Sequence, residues 1–176
     1  MTYTVTVEPT GEQIEVEEGQ TILQAALRQS VWIPFACGHG LCATCKVTVL
    51  DGDVEVGDAS PFALMESERD DGKVLACCAT VESDVTIEAD VDVDEDFKGY
   101  AVEDFNATVT KIVDLSPTIK GVHFSLDNSI TFQAGQYINL QLPGCDGVRA
   151  FSIANPPSNN QEIELHIRLV QGGAAT

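Results

Sequence analysis

Basic residues are scarce in this chain of 176 residues: 9 Lys and Arg stand against 28 Asp and Glu, a formal net charge of −19. Phosphate backbones are held by basic faces, so nucleic acid is excluded as a partner. Long apolar runs are missing too. No stretch approaches the roughly 18 residues that a membrane-spanning helix needs, and no membrane association is expected. The opening residues, Met1-Thr-Tyr-Thr-Val-Thr-Val, go straight into alternation. They lack the basic and apolar regions of a secretory signal, so a cytoplasmic protein is expected. No internal repeat is visible. What is present is enough apolar material, 44% of residues, to build a core in one large or two small domains.

The charge is unevenly spread. Residues 1–104 hold 23 acids and 5 bases; residues 105–176 hold 5 and 4. So abrupt a change marks two units with different jobs. Acidity of this kind keeps a protein soluble; it also steers docking toward a basic face on a partner, an attraction that salt weakens.

The six cysteines cluster as unevenly as the charge: Cys37, Cys42 and Cys45, then Cys77-Cys78, then Cys145. In a reducing compartment such a set points to metal rather than to disulfides. The run Cys37-Gly-His-Gly-Leu-Cys42-Ala-Thr-Cys45 has the spacing C-x4-C-x2-C, and Cys77 supplies a distant fourth thiol. This is the plant-type [2Fe–2S] spacing. Two ferric ions, two sulfides and four thiolates sum to a charge of −2, one more negative on reduction. A loop holding that charge needs backbone N–H groups aimed at sulfur. Gly38 and Gly40 permit the close approach, and small Ala43 and Thr44 let the chain wrap. Cys37-Gly-His39 is half of a Rieske pattern, but the chain has no C-x2-H to complete it, so His39 is expected to be a loop residue. Structural zinc sites pair two short-spaced knuckles, whereas here the fourth cysteine stands alone. Trp32 and Phe35 are expected to pack around the loop.

Tyr3–Glu8 and Gln13–Glu17 alternate like the strands of a hairpin, and Thr21 is placed to cap a helix ending near Ser30. Ile22, Leu23, Ala26 and Leu27 give that helix an apolar face. Asp51-Gly52 signals a hairpin between Lys46–Leu50 and Val54–Val56. Ser60-Pro61 signals a short helix to about Glu66. Val85–Glu88 closes the unit as a strand. The order fits a mixed sheet wrapped around one helix, with the cysteines in an edge loop. Asp90–Asp96 carries five acids in seven residues, so residues 94–101 are read as an acidic linker, with Val91 and Val93 open to a second reading as an extension of the last strand. The domains expected are 1–93, then the linker, then 102–176. In the last of these, Asn106–Val113, Thr118–Leu126, Gln136–Leu142, Val148–Ala154 and Glu162–Val170 read as strands of a small antiparallel barrel.

Val74–Asp90, VLACCATVESDVTIEAD, resembles the closing segment of plant-type ferredoxins. In that register Cys77 falls on the ligand position and Cys78 on one that is often alanine, a small buried residue. Arg149-Ala-Phe151-Ser152 resembles the R-x-[Y/F]-S pattern of the ferredoxin-reductase flavin domain. The chemistry suits it: arginine neutralises a diphosphate, an aromatic ring packs on the isoalloxazine, and a serine hydroxyl reaches toward flavin N5. Glu164–Thr176 resembles the second flavin strand and its Gly-rich turn. The resemblance implies FAD contacts from Arg149, Phe151, Ser152 and Ile153, from His166, Ile167 and Arg168, and from Gly172, Gly173, Ala174, Ala175 and Thr176. The backbone of His166, rather than its ring, is the expected contact. His123 is expected to be structural, and Cys145 to be a loop thiol without a redox role.

A ferredoxin unit followed by a flavin unit resembles the reductase components of bacterial multicomponent aromatic monooxygenases. The segments TVTVEPTGEQIEVE, PFACGHGLCATCK, SPFALM and DLSPTIKG are closest to the phenol hydroxylase type. The fold so implied is α+β: a β-grasp ferredoxin domain, then an incomplete antiparallel β-barrel. The resemblance further implies that NADH reduces FAD, and that electrons pass singly through a [2Fe–2S] cluster on Cys37, Cys42, Cys45 and Cys77 to a di-iron oxygenase. No side chain is expected to act as a general acid or base. A further strand, a capping helix and a nicotinamide domain are expected beyond Thr176, and without them the fragment is expected to be inactive and to bind FAD poorly. A ring-hydroxylating dioxygenase reductase, a flavin-free electron carrier and a zinc-stapled interaction module are the competing readings.

Overall fold

The structure, a computed structural model, describes residues 1–91, 99–144 and 147–173. Most of the acidic linker, Cys145 and the flavin-turn residues Ala174, Ala175 and Thr176 lie outside the described residues. The chain divides into two compact units, Met1–Glu103 and Asp104–Thr176. Among the described residues no helix is long and apolar enough to cross a membrane.

In the first unit, β1 (Thr2–Glu8) and β2 (Glu12–Glu17) form the expected antiparallel hairpin. The helix α1 (Ile22–Arg28) follows. Then come β3 (Lys46–Asp51), β4 (Val54–Glu55), α2 (Glu66–Asp70), β5 (Lys73–Leu75), β6 (Thr80–Val81) and β7 (Val85–Glu88). Five strands make one mixed sheet in the order β2-β1-β7-β3-β5, with β1 and β7 parallel. Alternation dictates its buried face: Val5 and Val7 from β1, Ile14 and Val16 from β2, Val85 and Ile87 from β7 all point inward. Against them pack Ile22, Leu23, Ala25 and Ala26, the apolar stripe of α1. Ile87 is fully buried on a central strand. Truncating it to alanine should cost about 2–5 kcal/mol of unfolding free energy. Leu50→Ala, at an exposed position of the same sheet, should change it by less than about 0.5 kcal/mol. Urea midpoints of the two variants check the contrast.

The first turn of α1 ties this core to the cysteine region. Thr21 Oγ1 accepts from the Gln24 N–H, and the Gln24 side chain accepts from the Thr21 N–H, a reciprocal cap. The N–H groups of Ile22 and Leu23, which no helix can satisfy internally, donate to the carbonyls of Ala79 (3.0 Å) and Ala76 (2.8 Å). The turn that carries Cys77 is thereby clamped at both ends onto the helix. After Arg28 the chain leaves the helix through Gln29 and Ser30, the latter at φ 61°.

Two local expectations are overturned. β3 and β4 do not pair: β3 lies between β5 and β7, and β4 pairs with β6. Tertiary bonds outweigh the local turn, for Asp53 N–H donates to Ser83 Oγ (2.8 Å) and Glu82 N–H to the Asp53 carbonyl (3.0 Å). Likewise no helix starts at Ser60-Pro61. The Ser60 carbonyl closes one turn, accepting from the N–H groups of Ala63 and Leu64, and the helix begins only at Glu66. Glu68 sets that start by accepting from the Met65 N–H (3.0 Å) while its other oxygen pairs with Lys46 Nζ (2.6 Å). Lys46 beside it holds the Glu68 carboxyl below its ordinary range.

The second unit is all β. A three-stranded antiparallel sheet has the order β12 (Glu162–Arg168), β9 (Ile119–Leu126), β8 (Ala107–Ser116). A separate pair joins β10 (Tyr137–Gln141) and β11 (Val148–Ser152), linked to the first sheet through an Ile153–Leu165 bridge. All five expected strands are present, and among the described residues they do not close into a barrel. The core consists of Val122, Phe124, Phe132, Ile163, Leu165 and Ile167. His123 is structural: its Nδ1 lies 2.8 Å from Glu162 Oε1 across the β9–β12 ladder.

Candidate metal centre and flavin strands

Strand register brings the distant cysteine to the loop. Lys46 pairs with Leu75, and the Ala76 N–H donates to the Cys45 carbonyl (2.9 Å). Cys77, one residue further, therefore stands beside Cys45, and the two thiols influence each other's titration. At the other end of the loop the Cys37 N–H donates to Cys42 Sγ (3.4 Å), and these two thiols also interact. The four thiols thus fall into two pairs. Among the described residues no group of three or more His, Cys, Asp or Glu is gathered to hold a metal ion. Pairs suit a two-iron centre better than a single ion: two tetrahedral irons that share two sulfides each have room for two thiolates.

The loop backbone supplies the N–H donors that such a centre needs. His39 and Leu41 N–H groups both donate to Cys37 Sγ (3.4 Å each), and the Gly40 N–H donates to Cys77 Sγ (3.3 Å). This convergence requires left-handed backbone, found at Gly38 (φ 66°), Gly40 (φ 72°) and, unforeseen from sequence, Ala43 (φ 62°). Gly40 is also a packing necessity. A Cβ there would sit 2.7 Å from Cys78 Sγ and 2.9 Å from the Asp58 carbonyl oxygen. Gly57, which no motif had singled out, is equally confined: its Cβ would come within 2.4 Å of the Cys78 carbonyl oxygen. The VGDASP stretch around it carries only the generic turn signal of a glycine beside Asp and Ser.

Electrostatics grade the thiols from rim to interior. Cys42 is exposed, and the Thr44 hydroxyl, 3.3 Å from its sulfur, helped by the Thr44 backbone, lowers its pKa to about 6. Burial pushes Cys45 up to about 12 and raises Cys77 and Cys78 as well. Of these, the candidate ligands Cys45 and Cys77 therefore keep their protons until a metal displaces them, as coordination does. His39 is exposed and its Nδ1 is turned to the Cys37 carbonyl oxygen. Trp32 and Phe35 pack at a tilt, with ring centroids 5.8 Å apart.

On β11, alternation places Arg149, Phe151 and Ile153 on one face and Ser152 on the other. Arg149 is exposed, with Nη1 donating to the Val148 carbonyl (2.9 Å), and Phe151 is half-buried. On β12 the side chains of His166 and Arg168 are exposed, and His166 Nε2 lies 3.0 Å from Glu164 Oε1. Ile167 has its side chain in the core of this unit and its backbone paired with Lys120. Gly172 adopts φ 74° in the turn after β12, with Gly173 beside it. The Ile153–Leu165 bridge sets the end of β11 against the middle of β12, bringing the two expected flavin strands side by side.

Comparison with known proteins gives these two units a class. Residues 5–82 match the 2Fe-2S iron-sulfur cluster binding domain, and residues 106–176 match the oxidoreductase FAD-binding domain. The two matches together take in most of the chain, a 2Fe-2S cluster binding domain followed by an oxidoreductase FAD-binding domain. Among individual proteins, it is 70% identical over its whole length to the phenol 2-monooxygenase reductase component DmpP of Pseudomonas sp. (strain CF600), covering 50% of that protein. It is 66% identical to the phenol hydroxylase P5 protein of Acinetobacter pittii (strain PHEA-2), again across the whole chain and 50% of the relative. A crystal structure of the Amycolatopsis reductase GcoB superposes with a TM-score of 0.86 at 37% identity, over 99% of this chain and 51% of that one. The chain spans about half the length of the curated relatives it matches. The matches indicate a [2Fe–2S] cluster and FAD as the cofactors.

Proposed function

We propose that the protein carrying this chain is the NADH-dependent reductase of a phenol hydroxylase, delivering electrons to a di-iron oxygenase component in the cytoplasm. The observation that carries this reading is the paired thiols with backbone N–H groups aimed at them, followed along the chain by an FAD-binding domain. When bound, the flavin and the iron–sulfur centre together convert a two-electron hydride into single electrons. Cys37, Cys42, Cys45 and Cys77 hold the irons. The N–H groups of His39, Gly40 and Leu41 offset the charge on the thiolates. Arg149 meets the FAD diphosphate, with Phe151 beside the ring system, and Ser152, Ile153, His166, Ile167 and Arg168 complete the flavin strands. The turn Gly172, Gly173, Ala174, Ala175 and Thr176 supplies backbone donors for the diphosphate.

The test is the purified full-length protein. Iron–sulfur absorption, one extractable FAD and NADH oxidation coupled to the hydroxylase are expected. Iron–sulfur absorption without flavin would leave only an electron carrier, and a colourless protein with stoichiometric zinc would sink the redox reading altogether.

Docking should depend on charge. Asp58 is exposed, and its backbone lies against the cysteine loop at Gly40. Leu41 and Phe62, 68% and 96% exposed, stand on the two segments that the Gly40–Ser60 backbone bond ties together. An apolar spot in an acidic surround suits a partner with a basic rim. Electron transfer to the oxygenase should therefore slow several-fold between low and physiological ionic strength in stopped-flow mixing, whereas reduction of a small uncharged acceptor should not change. A flat response would leave solubility as the only role of the acidity.

A further inference from the structure

Cys78 is a fifth thiol at the centre, and the ligand set leaves it unused. Its Sγ lies 3.6 Å from Cys77 Sγ and 3.7 Å from the Asp58 carbonyl oxygen. Its position is fixed from several sides. The Cys78 N–H donates to the Leu75 carbonyl (2.8 Å), the Gly57 backbone closes on its carbonyl, and the Gly40 backbone closes on its sulfur. A thiol in this slot has one proton and two acceptors within reach. A thiolate is the stronger acceptor, because hydrogen bonds to an ionised group are roughly twice as strong as neutral ones.

We propose that Cys78 is a positioning residue that donates its S–H to the Cys77 sulfur and thereby raises the reduction potential of the iron–sulfur centre. The inference rests on Cys77 as a ligand. Reduction adds one negative charge to the centre, part of it on the ligand sulfurs. A donor aimed at one of them favours the reduced state, as outer hydrogen bonds to metal ligands do. The backbone donor to the same sulfur, Gly40 N–H at 3.3 Å, acts in the same sense. Cys78 differs in being a side chain, so its contribution can be removed without altering the loop. S–H is a weak donor, which limits the expected size of the effect.

The experiment is a redox titration of the full-length holoprotein, followed by electron paramagnetic resonance, for wild type, Cys78→Ala and Cys78→Ser. Cys78→Ala should keep the centre and make its reduction harder by about three- to tenfold in equilibrium constant, the upper figure being 59 mV for one electron. Cys78→Ser keeps a donor, and its midpoint should lie at or above that of wild type. Equal midpoints in wild type and Cys78→Ala overturn the proposal. So does a Cys78→Ser midpoint below wild type, which would make the effect one of packing; this comparison also decides the matter if Cys78→Ala assembles no centre. Failure of the underlying reading looks different: wild type without an iron–sulfur signal, or loss of the centre in both Cys78 variants together with its retention in Cys77→Ser.

Discussion

Cys77→Ser should abolish the iron–sulfur centre, with visible absorption and the reduced-state resonance both lost, while Cys78→Ser keeps them. The two residues are adjacent, yet the structure gives them different surroundings. Cys77 stands beside the buried Cys45 and receives the Gly40 N–H; among the described contacts Cys78 receives no backbone N–H at its sulfur, which lies between Cys77 Sγ and the Asp58 carbonyl oxygen. A serine hydroxyl is far less acidic than a thiol and is a poor match for iron in this setting. Bound iron should fall by more than about tenfold, since even the outer partners of metal ligands are worth about 10–100-fold in affinity. The empty loop should also lose protection from proteolysis, because metal affinity is in part folding free energy. The opposite pattern, bleaching by Cys78→Ser and retention by Cys77→Ser, would move the fourth ligand by one residue.

Gly40→Ala should be nearly as damaging, and Gly38→Ala mild. Both glycines are left-handed, so an alanine at either pays the backbone penalty of about 1–2 kcal/mol. The space around them differs. Nothing lies within 4 Å of a Cβ on Gly38, whereas one on Gly40 collides with Cys78 Sγ at 2.7 Å and the Asp58 carbonyl oxygen at 2.9 Å. The Asp58 backbone cannot swing aside as a flexible side-chain end would. The loop must shift, and the N–H that bonds to Cys77 Sγ shifts with it. Iron content and the thermal midpoint of the holoprotein check this. Gly38→Ala should retain the centre, and Gly40→Ala should lose most of it. Equal effects would show that conformation alone matters in the loop.

Much of this architecture is legible in the sequence, for a physical reason. Val5 and Val7, Ile14 and Val16, Val85 and Ile87 alternate because only one sheet face is buried, and Thr21 marks the helix start because a hydroxyl there satisfies an orphan N–H. The three clustered cysteines are legible because their chemistry fixes their spacing. The failures occur where a long-range bond outweighs a local signal. Asp51-Gly52 announces a hairpin, but Ser83 Oγ and Asp53 draw β4 to β6. Ser60-Pro61 announces a helix, but Glu68, paired with Lys46, sets its start later. The approach of Cys77 to Cys45 depends on β3–β5 register, and the left-handed backbone of Ala43 is not marked by residue type. Resemblance, more than residue physics, assigned the flavin strands, because strand alternation alone cannot distinguish a cofactor face from a core face.

The bonds to the sulfurs of Cys37 and Cys77 come from the main chain of His39, Gly40 and Leu41, while the side chains of His39 and Leu41 are exposed and make none of them. The inner lining of the loop is therefore indifferent to which side chains stand at 39 and 41, so long as neither is proline. Those two positions can be redrawn to suit a different acceptor without rebuilding the cage behind them, which makes the loop a socket with an exchangeable outer plate.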